Sequence, residues 1–417
     1  MKKLFIIGIA ALLLVAFTMP AMAKVKIGGI IFTDFYYLDR DKDNAQAWGK
    51  GNDPYQVTTI QVPNITRLNA RWTNEDNVGM FIELGLGQHT SGIEETTSSG
   101  VSLRHAYGWW DVNPNFQIMA GKSTSPFSPL DPSQLIGTRS GSLNIIGVGY
   151  GNFYSGRFAQ IRGTWKFGKM GRVALALVDQ NGGSRIVPTY AKYFPYELIP
   201  VVAPDGTVRM AQLNQDYQTN SKIPRIDIGV PLYFGPVSLY PSFLYQYRTV
   251  DVLNSQLSRF DNSIHTYIGS LGVKAGFGPF AISAEGQWGK NWGNTRALIG
   301  TSAPCMLSTA MPNANGNIND ANMYSFWIDA SYKIGPLTPH VMYGMMNSDV
   351  KAFDETELSG KSSFWGFSIP IDLAKGFRVR PEFMWYDDGE IQAGGNDLVQ
   401  LGSYAIYGVQ FQIDRKS

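Results

Sequence analysis

One hairpin recurs three times in this chain and restricts its fold more than any other feature. Tyr233-Phe234-Gly235-Pro236-Val237-Ser238-Leu239, Gly276-Phe277-Gly278-Pro279-Phe280-Ala281-Ile282 and Lys333-Ile334-Gly335-Pro336-Leu337-Thr338-Pro339 each place alternating residues on both sides of a Gly-Pro turn. Gly168-Lys169-Met170-Gly171, Leu373-Ala374-Lys375-Gly376, Asn74-Glu75-Asp76-Asn77 and Asn113-Pro114-Asn115 mark further tight reversals. Gly, Asn, Asp and Pro serve there because they tolerate or preset turn dihedrals. Between these turns lie longer polar connections near 39–56, 88–100, 123–152, 179–221, 249–262, 290–321, 347–361 and 387–400. Short and long connections alternate strictly, so one strand between each predicts about sixteen antiparallel strands.

The strands keep a period of two, which puts alternate residues on opposite faces of a sheet. Ile226, Ile228, Val230, Leu232 and Phe234 oppose Arg225, Asp227 and Gly229. Tyr324, Phe326, Ile328, Ala330, Tyr332 and Ile334 oppose Ser325, Asp329, Ser331 and Lys333, and Phe280, Ile282, Ala284 and Trp288 oppose Ser283, Glu285 and Gln287. Aromatics gather near strand ends, at Trp72, Trp165, Phe167, Phe277, Trp288, Trp365 and Trp385, as in the girdles where a barrel wall leaves hydrocarbon. A soluble propeller has blades of similar spacing. It gives no reason for short turns to alternate with long loops, or for charges to share one face. The pattern therefore predicts a membrane barrel, closed because unpaired amides in lipid cost several kcal/mol each. About sixteen strands leave an aqueous lumen where eight would fill with side chains, and the polar parity must face it.

The chain start agrees with that destination. Lys2 and Lys3 precede an apolar stretch from Leu4 to Phe17, and Ala21-Met22-Ala23 offers the small-x-small pattern of a cleaved export signal. The predicted domains are therefore a signal peptide, 1–23, and a single barrel over 24–417 with an inward-folded loop near 123–152. Lys and Arg number 35 against 33 Asp and Glu; with Lys2 and Lys3 in the leader, the mature chain is formally neutral. That argues against nucleic acid as a partner. A single cysteine, Cys305, allows no intramolecular disulfide and reads as an incidental thiol in a loop.

In this layout the mature chain resembles the general-diffusion porins of Gram-negative outer membranes over essentially its whole length. The resemblance implies a homotrimer in lipid and lipopolysaccharide, passing small hydrophilic solutes and ions without cofactor, metal or catalysis. It also implies that the third long loop folds inward and narrows the pore, with acids on that loop facing basic residues on the wall. Here that loop holds Ser125-Pro126-Phe127-Ser128-Pro129-Leu130-Asp131-Pro132, with Asp131 its only acid, and also carries Arg139. Arg67, Arg104 and Arg162 are the opposing candidates by parity, with Arg71, Glu83, Arg378 and Arg380 as further lining residues. A single loop acid departs from the family pattern, as does the Asp414-Arg415-Lys416-Ser417 tail after the usual terminal aromatic. The competing functions are a porin selective for anions, carboxylates or sugars, a barrel hydrolase, and a non-conducting structural barrel.

Other motifs carry less. Asp39-Arg40-Asp41-Lys42-Asp43 starts like a calcium loop but has Asn44 where Gly is needed and Lys50 where Glu is needed. It and Asp387-Asp388-Gly389-Glu390 read as solvated outer loops. Gly147-Val148-Gly149-Tyr150-Gly151 has no helical span to make it a potassium filter and reads as the flexible end of the inward loop. His89, His105, His265 and His340 lack zinc spacing, and no Gly-x-Ser-x-Gly elbow occurs.

Overall fold

The computed structural model describes residues 24–63, 65–86, 101–133, 136, 147–180, 198–202, 208–212, 219–253, 259–295, 302–313, 315–352 and 354–415. The leader over 1–23, the 88–100 connection and Arg139 lie outside the described residues.

Sixteen antiparallel strands close into one barrel among the described residues. In chain order they are β1 Lys24–Arg40, β2 in two segments Tyr55–Gln61 and Arg67–Thr73, β3 Val78–Gly85, β4 Ser102–Asn113, β5 Phe116–Thr124 and β6 Arg157–Lys166. Then come β7 Arg172–Val178, β8 in segments Thr219–Asn220, Arg225–Gly229 and Leu232–Phe234, β9 Val237–Leu253, β10 Arg259–Phe277 and β11 Phe280–Lys290. The circuit ends with β12 Asn322–Tyr332, β13 His340–Lys351, β14 in segments Glu357–Ser368 and Ile371–Ala374, β15 Phe377–Ala393 and β16 Asn396–Arg415. One edge of β1 takes both segments of β2, and the other closes the barrel, Gly29 opposite Arg415 through Arg40 opposite Tyr404.

The Gly-Pro turns and the other tight turns read from the sequence lie at one end, as at Phe234 opposite Val237 and Phe277 opposite Phe280. The outer surface is an apolar belt: Ile31, Phe35, Ile161, Leu177, Trp288, Phe326, Phe367 and Phe411 are all exposed. So much aliphatic and aromatic surface is stable only against hydrocarbon.

At the other end the structure departs from the expected loops. A bilayer needs only about 9–11 residues per strand, yet β10 has 19 and β16 has 20. The strands continue beyond the belt and consume three connections read as long loops, which shrink to residues 254–258, 352–356 and 394–395. The 387–400 segment is a paired hairpin turning on Gly394 and Gly395, both left-handed at φ 56° and 84°. Its polar residues read as loop because a ribbon above the membrane can be polar on both faces, which erases the period-two signal.

Asp387-Asp388-Gly389-Glu390 is correspondingly strand, not solvated loop, and Asp388 is buried. The 39–43 acids likewise have a structural job. Asp41 caps helix α1, Lys42–Ala47, by accepting from Asn44 N at 2.8 Å. It also accepts from Ser403 N and Oγ on β16, at 2.6 and 2.8 Å.

Parts of two connections lie inside the barrel. Residues 125–133, 136 and 147–156 contact the inward side of β8–β16, and residues 302–313 pack against them, as at Ser302 with Gly149 O. In the second, helix α2, Ala303–Met306, places Cys305 among Phe127, Phe153, Leu244, Ile268 and Trp292. Burial pushes its thiol up to about 12, so the reactive thiolate is scarce at neutral pH. Cys305 is therefore expected to resist a thiol reagent at pH 8 in the folded barrel and to react once per chain after denaturation. Labelling of the native protein at the rate of a free thiol would show that this loop does not pack inside.

Candidate functional site

The lumen has two unlike halves, and the difference starts with parity. On β2–β6 the inward positions include a cluster of charged residues. Glu83 of β3 accepts from Arg104 Nε of β4 at 2.8 Å and pairs with Arg67 Nε of β2 at 3.4 Å. A bulge in β4 sets His105 opposite Glu83 and Leu103 opposite Leu84. The extra residue lets Arg104 and His105, adjacent in sequence, both reach the lumen. His105 Nε2 accepts from Arg157 Nε at 3.0 Å, and its Nδ1 lies 3.4 Å from Ser123 Oγ. Arg162 Nη1 donates to Thr124 O at 3.4 Å, the Arg71 guanidinium lies 4.7 Å above Trp109, and Lys166 Nζ is 3.6 Å from Asp111. Six cations thus share this wall with Glu83 and Asp111.

Arg67, Arg71, Glu83, Arg104 and Arg162, expected from the sequence, lie on this wall with His105 and Arg157, which the sequence did not mark as lining residues. His105 was hidden by the bulge, which breaks parity where nothing in the local sequence announces it. Arg157 opens β6 and has the parity opposite Arg162, so strict alternation left it out of the inward set.

The opposite half of the inward face carries a large apolar cluster among its polar groups, against the expectation of a wettable lining throughout. Tyr36, Leu38, Trp327, Met342, Phe364, Met384, Tyr386, Tyr404 and Ile406 are buried together with Leu130, Ile136 and Tyr150 of the 125–156 loop. They form a seat for that loop. Gly272 and Gly344 make the close approach possible, since a Cβ there would lie 2.8 Å from Leu130 Cδ1 and 2.8 Å from Tyr150 O.

Polar groups fix the loop's course. Ser125 Oγ donates to Asp227, and Ser128 N donates to Ser242 Oγ at 3.1 Å. Ser133 N donates to Asp329 Oδ2 and Ile136 N to Glu382 Oε2, each at 2.8 Å. Gly149 O accepts from Ser302 Oγ at 2.6 Å and from Ser362 Oγ at 2.7 Å. Hydrogen bonds to charged groups are each worth about 1.5–3 kcal/mol, so the loop is tethered along its length. Gly147–Gly151 is accordingly a buried anchor, not a flexible end, with Tyr150 fully covered.

Asp131 is exposed to the lumen on the loop's free edge, where Oδ1 accepts from Asn152 Nδ2 at 2.8 Å. Enclosure by the surrounding protein raises its carboxyl above the ordinary range, opposed by that hydrogen bond and by Arg157 and Lys274. Arg380 and Arg378 do not join the arginine wall. Arg380 Nη1 lies beneath the loop, donating to Ser133 O at 3.1 Å, and Arg378 Nε holds the exposed Asp372 at 2.6 Å near the short-turn end.

No protein-family model and no curated protein sequence matches the chain. Solved structures do match its shape. The outer membrane channel DcaP of Acinetobacter baumannii superposes with a TM-score of 0.65 at 15% identity, over 95% of this chain and 99% of that one. An anion-selective porin from Comamonas acidovorans gives 0.57 at 13% identity, over 94% of this chain and 100% of that one. The OmpF of Salmonella typhi, in complex with daunomycin, gives 0.55 at 10% identity, over 94% and 98%. The fold is that of the sixteen-stranded general porins.

Proposed function

We propose that this porin-fold chain is an outer-membrane porin, passing small hydrophilic solutes passively and favouring anions. The observation that carries the reading is the charge distribution: six wall cations, Arg67, Arg71, Arg104, Arg157, Arg162 and Lys166, line the open half of the lumen. Among the described residues, the acids paired with them on this wall are Glu83 and Asp111, and Asp131 is the one acid of the inward loop. Rings of side-chain charge set which ions enter such a pore, and its diameter sets the size limit. The Comamonas acidovorans structure of the same shape is described as an anion-selective porin, which supports the direction. The proposal includes export by residues 1–23, a mature start at Lys24, a trimer in lipid and lipopolysaccharide, and no catalytic step.

Purified protein in planar bilayers tests this. Discrete, voltage-tolerant steps are expected, with a zero-current potential on the anion side in a KCl gradient. The preference should increase on acidification, beginning above the ordinary carboxylate range, because protonating Asp131 removes a negative charge facing the arginines. A cation-side potential at neutral pH, or silence from folded protein, overturns the reading.

A further inference from the structure

The wall opposite the arginines holds a second polar site, past the loop towards the short turns. A cavity of about 370 Å³ opens there between β9 and β13, within the range of small-molecule sites. Its floor is built from inward positions of consecutive strands: Ser238 and Tyr240 of β9, Lys274 of β10, Ser283 of β11, and Asp329 and His340 of β12 and β13.

These groups are not equally available. Asp329 is engaged on both oxygens, Oδ1 with His340 Nδ1 at 2.8 Å and Oδ2 with Ser133 N of the loop at 2.8 Å. Lys274 is exposed to the cavity and, among the described residues, has no salt bridge. The Ser283 hydroxyl is buried without a hydrogen-bond partner among the described residues. A buried hydroxyl without a partner costs free energy that a bound acceptor would recover. Asp329 is committed, Lys274 feels the loop acid Asp131 but makes no ion pair with it, and the Ser283 hydroxyl remains to be satisfied, so the cavity is complementary to an acceptor carrying negative charge. Asp131, the nearby loop acid, separates it from the arginine wall.

We propose that this cavity is a low-affinity binding station for small oxyanions, carboxylate or phosphate. Lys274 supplies the charge, Ser283 donates a hydrogen bond, and the Asp329–His340 pair holds both the cavity wall and the loop edge above it. A solute that clears the arginine wall then pauses here before leaving through the short-turn mouth. The proposal rests on the anion-passing reading, and its test separates the two.

Chloride current through single channels is titrated with potassium acetate and, separately, with potassium phosphate, added to both sides. In wild-type protein each anion should reduce chloride current to a saturating limit. In Lys274→Gln the half-inhibiting concentration should rise about tenfold, as for loss of one charge-assisted hydrogen bond. Ser283→Ala should give a smaller rise. Response to only one anion would identify carboxylate or phosphate as the ligand. No saturation with either anion, or equal titrations in wild type and both variants, overturns the station. The zero-current potential reports the arginine wall independently: anion-side with no Lys274 dependence defeats only the station, and cation-side with Lys274 dependence defeats only the anion preference.

Discussion

Replacing Arg67, Arg104 and Arg162 together by glutamine should carry the zero-current potential in a KCl gradient from the anion side to the cation side. Three positive charges are lost, and Glu83, held by two of the arginines at 3.4 and 2.8 Å, loses its partners. Without them its carboxylate faces the lumen unpaired. A unit charge at 4 Å is worth about 1 kcal/mol in bulk water and about 4 kcal/mol near a protein surface, and about 1.4 kcal/mol is a tenfold preference. The permeability ratio should therefore move by roughly tenfold or more. Salt weakens the shift, since the screening length is about 8–10 Å at moderate ionic strength.

Arg378→Gln is the internal comparison. Its guanidinium is committed to Asp372 near the short-turn mouth, and its loss should leave the potential close to wild type. A triple variant that conducts with an unchanged potential would place the selective narrowing elsewhere.

The sequence was legible where one rule governs each residue, and opaque where two rules share one signal. Gly235-Pro236 and Gly278-Pro279 could only be turns, and with them came strand number, direction and the closing pair of β1 and β16. Parity put Arg67, Arg104 and Arg162 on one face, where Arg67 and Arg104 meet Glu83. It could not tell what an inward apolar residue would touch. Met342, Phe364 and Met384 alternate in step with Ser348, Ser362 and Glu382, and only the course of the 125–156 loop decides which of them it covers. His105 was lost to a one-residue bulge. Asp388 was lost because a polar strand above the membrane resembles a loop.

That misread residue is the hub of the strongest expected structural effect. Asp388 accepts from Tyr150 OH of the inward loop, from Asn44 Nδ2 at 2.8 Å and from Trp48 Nε1 at 3.3 Å. One buried carboxylate thus ties together the first loop, the inward loop and the protruding hairpin. The Tyr150 ring packs 4.8 Å from Tyr386, which stacks on Tyr404 at 4.9 Å. Tyr150→Ala removes both the ring and its hydroxyl, at a cost of about 3–5 kcal/mol by comparison with other buried aromatics. The sixteen-strand ladder bears none of that loss directly. Thermal unfolding of the barrel in detergent should hardly move, while the loop leaves its seat.

The reading belongs to the channel: larger unitary conductance, with current noise from a loop that no longer rests in one place. Tyr150→Phe keeps the ring and removes only the hydroxyl bond to Asp388. Its expected change is smaller, because Asn44 and Trp48 still satisfy the carboxylate. Wild-type conductance and quiet current from a folded Tyr150→Ala barrel would mean that the tethers at Ser133, Ile136 and Gly149 hold the loop without the aromatic seat.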